Sequence, residues 1–408
     1  LDRRVLFFYD DDIDVRFPAH YRKPLFEELP GRYGIPTDII CFRSSIRETL
    51  FERRPHGTAV YIPKIRPKRI IDILREFRRT SHAAESALRQ ILDGSGTTPT
   101  HIVAFNYPPF LRLAERWSRK LGAKFIAHIG FLAPEELLTR SSLIDWIRGF
   151  GGRIMRNRML GRADQVWAMS EAMRDLFVRD FGLPPRKVKA WPSAVESVEL
   201  PASFAVRRNE LRNALGLRDD DLALVYIGSL SRFRGLDFLI DALKRLIAKP
   251  GMDRVRMVFI GYSLDGADIK FLRDYAEAAG LADRVRIHES VPEDELPFYI
   301  RACDIGLSPI EPNGVLLYSS PIKILEYFKA GVPVAATRIP DQEDILSRSS
   351  GGVLAGWDVP EFAERLKDLC LMTAEERKAM GRRGYEWLIK NREVSILTEE
   401  MVRWLGEE

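Results

Sequence analysis

Apolar residues in this chain form short continuous runs, separated by longer stretches where they recur every three or four positions. The runs RVLFFY (4–9), TDIICF (37–42), TAVYI (58–62, closed by Pro63), THIVAF (100–105) and KFIAHI (124–129) predict buried strands. So do LALVYIG (222–228), RVRMVFIG (254–261), RVRIHESV (284–291), the run after Val332 and GGVLAG (351–356). Helical spacing fills 19–33, a long basic stretch ending near Leu92, and 109–121. It returns over 267–279, 358–371, 374–390 and 393–405. ADQVWAMSEAMRDLFVRDFG (163–182) reads as a strand, a cap at Ser170 and a helix. Strands alternating with helices throughout predict an α/β protein of doubly wound parallel sheets. No internal repeat interrupts the pattern. The segment SAVESVELPAS (193–203) is the expected boundary between two such domains.

At 408 residues the chain is long enough for two domains with sizeable cores. No apolar run reaches the roughly 18 residues that span a bilayer, and no basic-then-apolar segment opens the sequence as given. Cys41, Cys303 and Cys370 are scattered, with no CxxC or Cys/His cluster. A reducing, cytoplasmic setting is expected, and a structural zinc is not. Charge is uneven. Residues 1–195 carry 34 Lys+Arg against 22 Asp+Glu, a net of +12, and the remainder carries 29 against 36, a net of −7. That asymmetry points the first half toward an anionic partner.

The stretch SSPIKILEYFKAGVPVAAT (319–337) carries the most chemistry. Ser319 or Ser320 suits an N-cap, Pro321 the first helical position, and Gly331 the C-cap. Lys323 and Glu326 then share a face beside free backbone N–H groups, which favour a phosphate. A carboxylate there accepts hydrogen bonds from a diol such as a ribose. Upstream, Gly228 and Gly235 bracket the loop SLSRFR, which leads into a helix and offers Arg232 and Arg234 to a pyrophosphate. The loop is neither G-x-G-x-x-G nor G-x-x-x-x-G-K-[ST], so the ordinary nucleotide fingerprints are excluded.

P-x-K-I-L-E-Y-x-x-A-G-x-P-V resembles the donor-site helix of GT-B glycosyltransferases, especially the retaining family 4. The resemblance covers nearly all of 164–337. It implies two Rossmann-like domains facing a cleft, with domains at 1–195 and 196–390 and a closing helix at 391–408 that crosses back to the first domain, anchored by Trp404 and Leu405. It implies transfer of a sugar from a nucleotide diphosphate sugar, UDP-sugar being favoured, to a lipid-linked or glycan acceptor, without a metal or other cofactor. Donor contacts then fall to Gly228, Ser229, Arg232, Arg234, Glu289, Ser290, Val291, Ser320, Pro321, Ile322, Lys323 and Glu326. Catalytic roles fall to His128, Arg234 and Lys323, and the acceptor side to Asp12, Asp14, Asn106 and Tyr107. The chain departs from the pattern in several places, three of them at the donor site. The first of the family's two glutamates would stand at Tyr318, with Glu311 upstream at the wrong spacing; Ser229 replaces an arginine; Arg234 replaces a lysine. A nucleotide-sugar epimerase of the same fold and a non-catalytic binding scaffold remain alternatives.

Asp10, Asp11, Asp12 and Asp14 follow the first strand directly. They form an acidic turn or a cleft loop rather than the D-x-D metal site of the other large glycosyltransferase fold, which lies deep within its domain. Lys64, Arg66, Lys68, Arg69, Arg75, Arg78 and Arg79 crowd the start of the long helix. Over 141–162, Trp146, Ile147, Phe150, Ile154, Met155, Met159 and Leu160 interleave with five arginines, interrupted by Gly149, Gly151 and Gly152. Together these suggest peripheral contact with an anionic membrane, at the inner face, and no nucleic acid.

Overall fold

A computed structural model describes residues 3–13, 23–64, 70–139, 142–197, 204–263 and 266–407. Asp14, Arg66, Lys68 and Arg69 lie outside the described residues, as do the start of the helix expected over 19–33 and most of the segment 193–203. The chain divides into two compact units, Leu1–Ser193 with Val394–Glu408, and Ala194–Glu393.

The first unit holds β1 (Val5–Tyr9), β2 (Thr37–Arg43), β3 (Leu50–Arg54), β4 (Gly57–Pro63), β5 (His101–Phe105), β6 (Lys124–Ile129), β7 (Gln165–Ala168) and β8 (Val188–Ala190). They form one sheet in the order β3-β4-β2-β1-β5-β6-β7-β8. All pairings are parallel except that of β3 with β4. A π-helical turn at Pro24–Glu28 runs into α1 (Leu29–Tyr33), which Gly34 ends at φ +62°. Further helices follow: α2 (Ile70–Ser95), α3 (Pro108–Leu121), α4 (Ala133–Leu138), α5 (Leu143–Arg162) and α6 (Glu171–Arg179). Strands β1 and β5 are buried at every position, as the unbroken apolar runs require.

The second unit holds α7 (Phe204–Ala214), β9 (Leu222–Ser229), α8 (Asp237–Ile247), β10 (Val255–Tyr262), α9 (Ala267–Ala278), β11 (Val285–Glu289) and α10 (Leu296–Arg301). It continues with β12 (Ile305–Ser308), α11 (Ile322–Lys329), β13 (Val334–Thr337), α12 (Pro340–Ser349), β14 (Gly352–Ala355), α13 (Val359–Leu371) and α14 (Ala374–Asn391). Its sheet, all parallel, has the order β11-β10-β9-β12-β13-β14. The last helix, α15 (Val394–Trp404), belongs to the first unit. There the Trp404 ring lies 5.8 Å from that of Trp167, and Gln165 Nε2 donates to the Trp404 carbonyl at 2.8 Å.

Both sheets reverse direction once. In the first unit the chain moves outward one way from β1 and the other way from β5, so the switch lies between these neighbours. In the second unit it lies between β9 and β12. The carboxyl ends of strands at such points leave a crevice where ligands of open α/β sheets bind.

Tyr327 of α11 spans the second switch. Its hydroxyl donates to the Leu307 carbonyl at 2.8 Å and accepts from the Ile227 N–H at 3.2 Å. The ring lies flat on Gly306, where a Cβ would come within 2.4 Å of it.

Some elements went unread in the sequence, β3 and α12 among them. Strand β3 is an exposed antiparallel edge, LFERR, whose side chains have no buried face to reveal a period of two. Helix α12, PDQEDILSRS, is mostly polar. Over 142–162 the expectation of a glycine-broken segment is corrected: α5 is one continuous helix capped by the Ser142 side chain. Gly149 lets it close on α4, since a Cβ would lie 2.7 Å from the Pro134 carbonyl oxygen.

Tyr327→Phe removes one hydroxyl and leaves a buried N–H and a buried carbonyl without it. A loss of about 1–3 kcal/mol is expected in the chemical denaturation of the second unit. An unchanged midpoint would show that the bridge carries no stability.

Candidate functional site

In the second unit the switch point brings Gly228 and Arg234, of the predicted donor residues, to Lys323. Gly228, next to last in β9, has φ +119°, a conformation open to glycine. A Cβ there would meet Lys323 Cε at 3.3 Å and Nζ at 3.5 Å, so the lysine side chain lies directly on this backbone. Lys323 Nζ stands 5.2 Å from the Tyr226 ring centroid. Burial, and then the charge of Arg234, push its pKa down to about 7. A half-buried ammonium beside a second cation is a place where an anion is favoured.

The helix start differs from expectation. Pro321 itself is the N-cap, Ile322 is the first helical residue, and no side chain caps the end. Ser320 instead donates to Asp341 Oδ2 at 2.8 Å, and Asp341 Oδ1 pairs with Arg392 at 2.8 Å. This buried knot fixes the approach to α11 and keeps the serine hydroxyl away from the first-turn N–H groups, which point to the helix N-terminus as anion donors would. Glu326 lies one turn on. Its ion pair is with Lys329, at 3.9 Å, not with Lys323. Burial raises its pKa, against the pull of Lys329.

The two loop arginines separate. Arg234, in a 3-10 turn at Arg232–Arg234, acts electrostatically on Lys323, and Gly235 follows at φ +60° with the Trp357 ring against its Cα. Arg232 turns outward, over the Phe271 ring at 4.1 Å and 3.9 Å from Asp268. Ser229 completes β9, its carbonyl accepting from the Tyr226 hydroxyl at 3.1 Å. Glu289 and Ser290 are exposed at the carboxyl end of the edge strand β11, with Val291 partly buried beside them. Tyr318 sits in a 3-10 turn, and Glu311 is exposed on the preceding loop.

The first unit has its own polar cluster at the β1/β5 switch. Asp10 follows β1; burial pushes its pKa up to about 6, against the pull of Lys64, and the Asn106 side chain hydrogen-bonds it. Asn106 follows β5 with φ +29°, an uncommon conformation for a non-glycine residue. Its Oδ1 accepts from the N–H groups of Gly130 and Phe131 at 2.9 and 3.3 Å. The Tyr107 hydroxyl donates to Glu76 at 3.1 Å, and Arg148 stands 3.6 Å from the same carboxylate. Glu76 is a partner that sequence reading missed, since nothing in α2 sets it apart. Asp12 is taken by Arg43, at 3.0 Å, and Asp11 by Lys64, at 3.1 Å. Among the described residues no cluster of three potential metal ligands forms. His128, next to last in β6, is fully buried. Its ring lies 4.3 Å from that of Phe105 and 5.2 Å from that of Trp191.

Residues 221–371 match the family described as glycosyl transferases group 1, and residues 19–194 the glycosyl transferase 4-like domain. A D-inositol 3-phosphate glycosyltransferase of Paenarthrobacter aurescens is 28% identical over 227 residues, 55% of this chain. The chain spans about half of that relative, 53% of its length. A GDP-mannose-dependent alpha-(1-6)-phosphatidylinositol monomannoside mannosyltransferase of Mycolicibacterium smegmatis is 26% identical over 382 residues, 89% of this chain and 92% of that one. Among solved structures, sucrose-phosphate synthase from Thermosynechococcus elongatus superposes with a TM-score of 0.73 at 14% identity, covering 98% of each chain. Two parallel sheets with their switch points, a donor-helix sequence in the second, and a family match in each unit agree: this chain belongs to the GT-B glycosyltransferases of group 1, in the family 4-like branch.

Proposed function

We propose that the protein transfers a sugar, with retention of anomeric configuration, from a nucleotide diphosphate sugar to a lipid-linked or glycan acceptor. The observation that carries this reading is Lys323, half-buried against Gly228 beside Arg234 at the β9/β12 switch. The leaving diphosphate meets these two cations and the uncapped start of α11, charges already in place before the bond breaks. No divalent ion is needed in this scheme. Glu326 holds the ribose diol. The similarity to a GDP-mannose-dependent mannosyltransferase over nearly the whole chain supports a nucleotide-sugar donor, with UDP- and GDP-sugars both to be tried.

The first unit is proposed to rest on an anionic membrane. No described helix is long and apolar enough to cross one. Instead α5 exposes Leu143, Trp146, Phe150 and Ile154 along one stripe, with the Trp146 and Phe150 rings stacked at 5.6 Å. Arg153 and Arg158 flank it, both exposed. Arg156 does not contribute: it is buried and forked onto Glu135 at 2.6 and 2.7 Å.

Thermal stabilisation by UDP-sugars and GDP-mannose in the presence of EDTA tests the donor reading, because a ligand of the native state raises stability by mass action. Glu326→Ala is expected to cost about 1.5–3 kcal/mol of donor affinity, roughly ten- to a hundredfold. Unchanged affinity in a folded variant would remove the ribose role. Stabilisation that required a divalent ion would overturn the metal-free scheme. Acceptor-dependent release of the nucleoside diphosphate separates transfer from epimerisation.

Donor binding is also expected to take up a proton. Lys323 has a pKa of about 7, so it is mostly neutral at pH 8. A bound diphosphate favours its charged form and raises that pKa. Calorimetry at pH 8 in buffers of different ionisation heat should show an uptake approaching one proton, shrinking at pH 6, where the lysine is already charged. Lys323→Met should abolish it. Equal uptake in that variant would place the titrating group elsewhere.

For the membrane face, flotation with acidic vesicles at low salt should carry the protein upward. Each arginine near the surface adds about 1 kcal/mol, and salt screens it. Protein left unbound by acidic vesicles at low salt would end this part of the reading.

A further inference from the structure

Beneath the exposed stripe of α5 lies a pocket of about 380 Å³, formed entirely within the first unit. Its size falls in the range of small-molecule sites, about 300–1,000 Å³. Its walls come from α2, α4, α5 and the start of α3, and are largely apolar: Ile73, Phe77, Leu137, Ile147 and Met155 among them. The polar groups are Asp10, Glu76, Asn106, Tyr107 and Arg148. Tyr107 and Arg148 both engage Glu76, so much of the bonding capacity of these three is spent within the wall. Asp10 differs. It has no ion pair of its own among the described residues, Lys64 being bonded to Asp11 and to the Asp10 backbone carbonyl. It stands at the β1/β5 switch beside the strained Asn106, the point at which an open sheet accepts a ligand.

We propose that this pocket takes the apolar chain of an amphiphilic alcohol, with the hydroxylated head held at Asp10. An apolar cavity with one lining carboxylate left outside an ion pair suits such a molecule on chemical grounds. The chain displaces water from Phe77, Ile147 and Met155 and buries its methylenes against them. A hydroxyl donates to the carboxylate, a hydrogen bond strengthened by charge. A free sugar leaves the apolar walls unfilled, and an anionic head is repelled by the Asp10 carboxylate, the pocket's Arg148 being already held by Glu76. Gly151 and Gly152 keep the α5 wall thin. A Cβ on Gly152 would stand 3.6 Å from Pro134 and 3.7 Å from Pro108, ordinary contacts, and one on Gly151 would meet nothing within 4 Å. Larger residues therefore fit the helix while taking up pocket space. The proposal rests on the sugar-transfer reading only in calling this alcohol the acceptor; binding of the alcohol is independent of any donor.

The test uses the full chain without nucleotide and n-octyl β-D-glucoside as probe, held below its micellar concentration. Calorimetry should show saturable binding with a stoichiometry of one, and glucose alone should not bind at the same concentrations. Gly152→Leu and, independently, Met155→Trp should weaken binding at least tenfold with the circular dichroism spectrum unchanged. Asp10→Ala should weaken the glucoside more than it weakens octanoate. Trp146→Ser, on the outer stripe, should leave the affinity unchanged. Absent or unsaturable binding, equal affinity in both filled variants, or loss only in Trp146→Ser would overturn the assignment. The last outcome would place the chain on the outer stripe. None of these results depends on donor binding, so failure here leaves the thermal-shift test of the donor site intact.

Discussion

The second unit is organised around the place where β9 and β12 part. Their ladder pairs Leu224 with Ile305 and Val225 with Gly306. Beyond this the strands diverge, and the next backbone groups face a gap. The Tyr327 hydroxyl closes it, binding the Ile227 N–H and the Leu307 carbonyl together. Buried backbone groups must be satisfied, and here a side chain from α11 satisfies them. The same contact sets the position of the helix. With Tyr327 pressed on Gly306, Lys323 one turn earlier is carried onto Gly228. The lysine's depressed pKa, its nearness to Arg234 and the aim of the helix start all follow from how α11 is seated. The Ser320–Asp341–Arg392 knot holds the other end of that arrangement, binding the loop before α11 to the first turn of α12 and the end of α14.

The first unit uses the same topology with different chemistry. Its switch point carries a carboxylate and amide groups where the second carries cations. Charge at each site thus runs opposite to the charge of the unit around it. The excess of basic residues in 1–195 is dispersed over surfaces and internal ion pairs. Arg4 is bonded to Asp38, Arg43 lies 3.5 Å over the Tyr61 ring, and Arg156 is buried with Glu135. What remains for an external partner is the exposed part, on α5 and its neighbours, so net charge overstates the strength of that surface.

The sequence by itself determined the architecture. Unbroken apolar runs such as VLFFY and LALVYI are legible because both faces of a parallel strand are buried, and alternating helices leave few other arrangements. It also marked Gly228, Arg234, Lys323 and Glu326, because the donor helix and its loop are local in the chain and their spacing is their geometry. Elements with no buried face, such as β3, and polar helices such as α12 left no periodic trace to read.

Tertiary structure decided the partners. Glu326 pairs with Lys329 and not Lys323, Ser320 turns to Asp341, and Arg232 turns away to Phe271. His128 lies between Phe105 and Trp191 because β6 is an interior strand, and strand position in a sheet is a long-range property. Glu76, Asp10 and Arg148 come from positions far apart in sequence, and only the packing of α2 and α5 over the β1/β5 switch brings them to one pocket. Spacing along a chain fixes what shares a helix face. Which charges meet across elements depends on contacts that the folded sheets alone create.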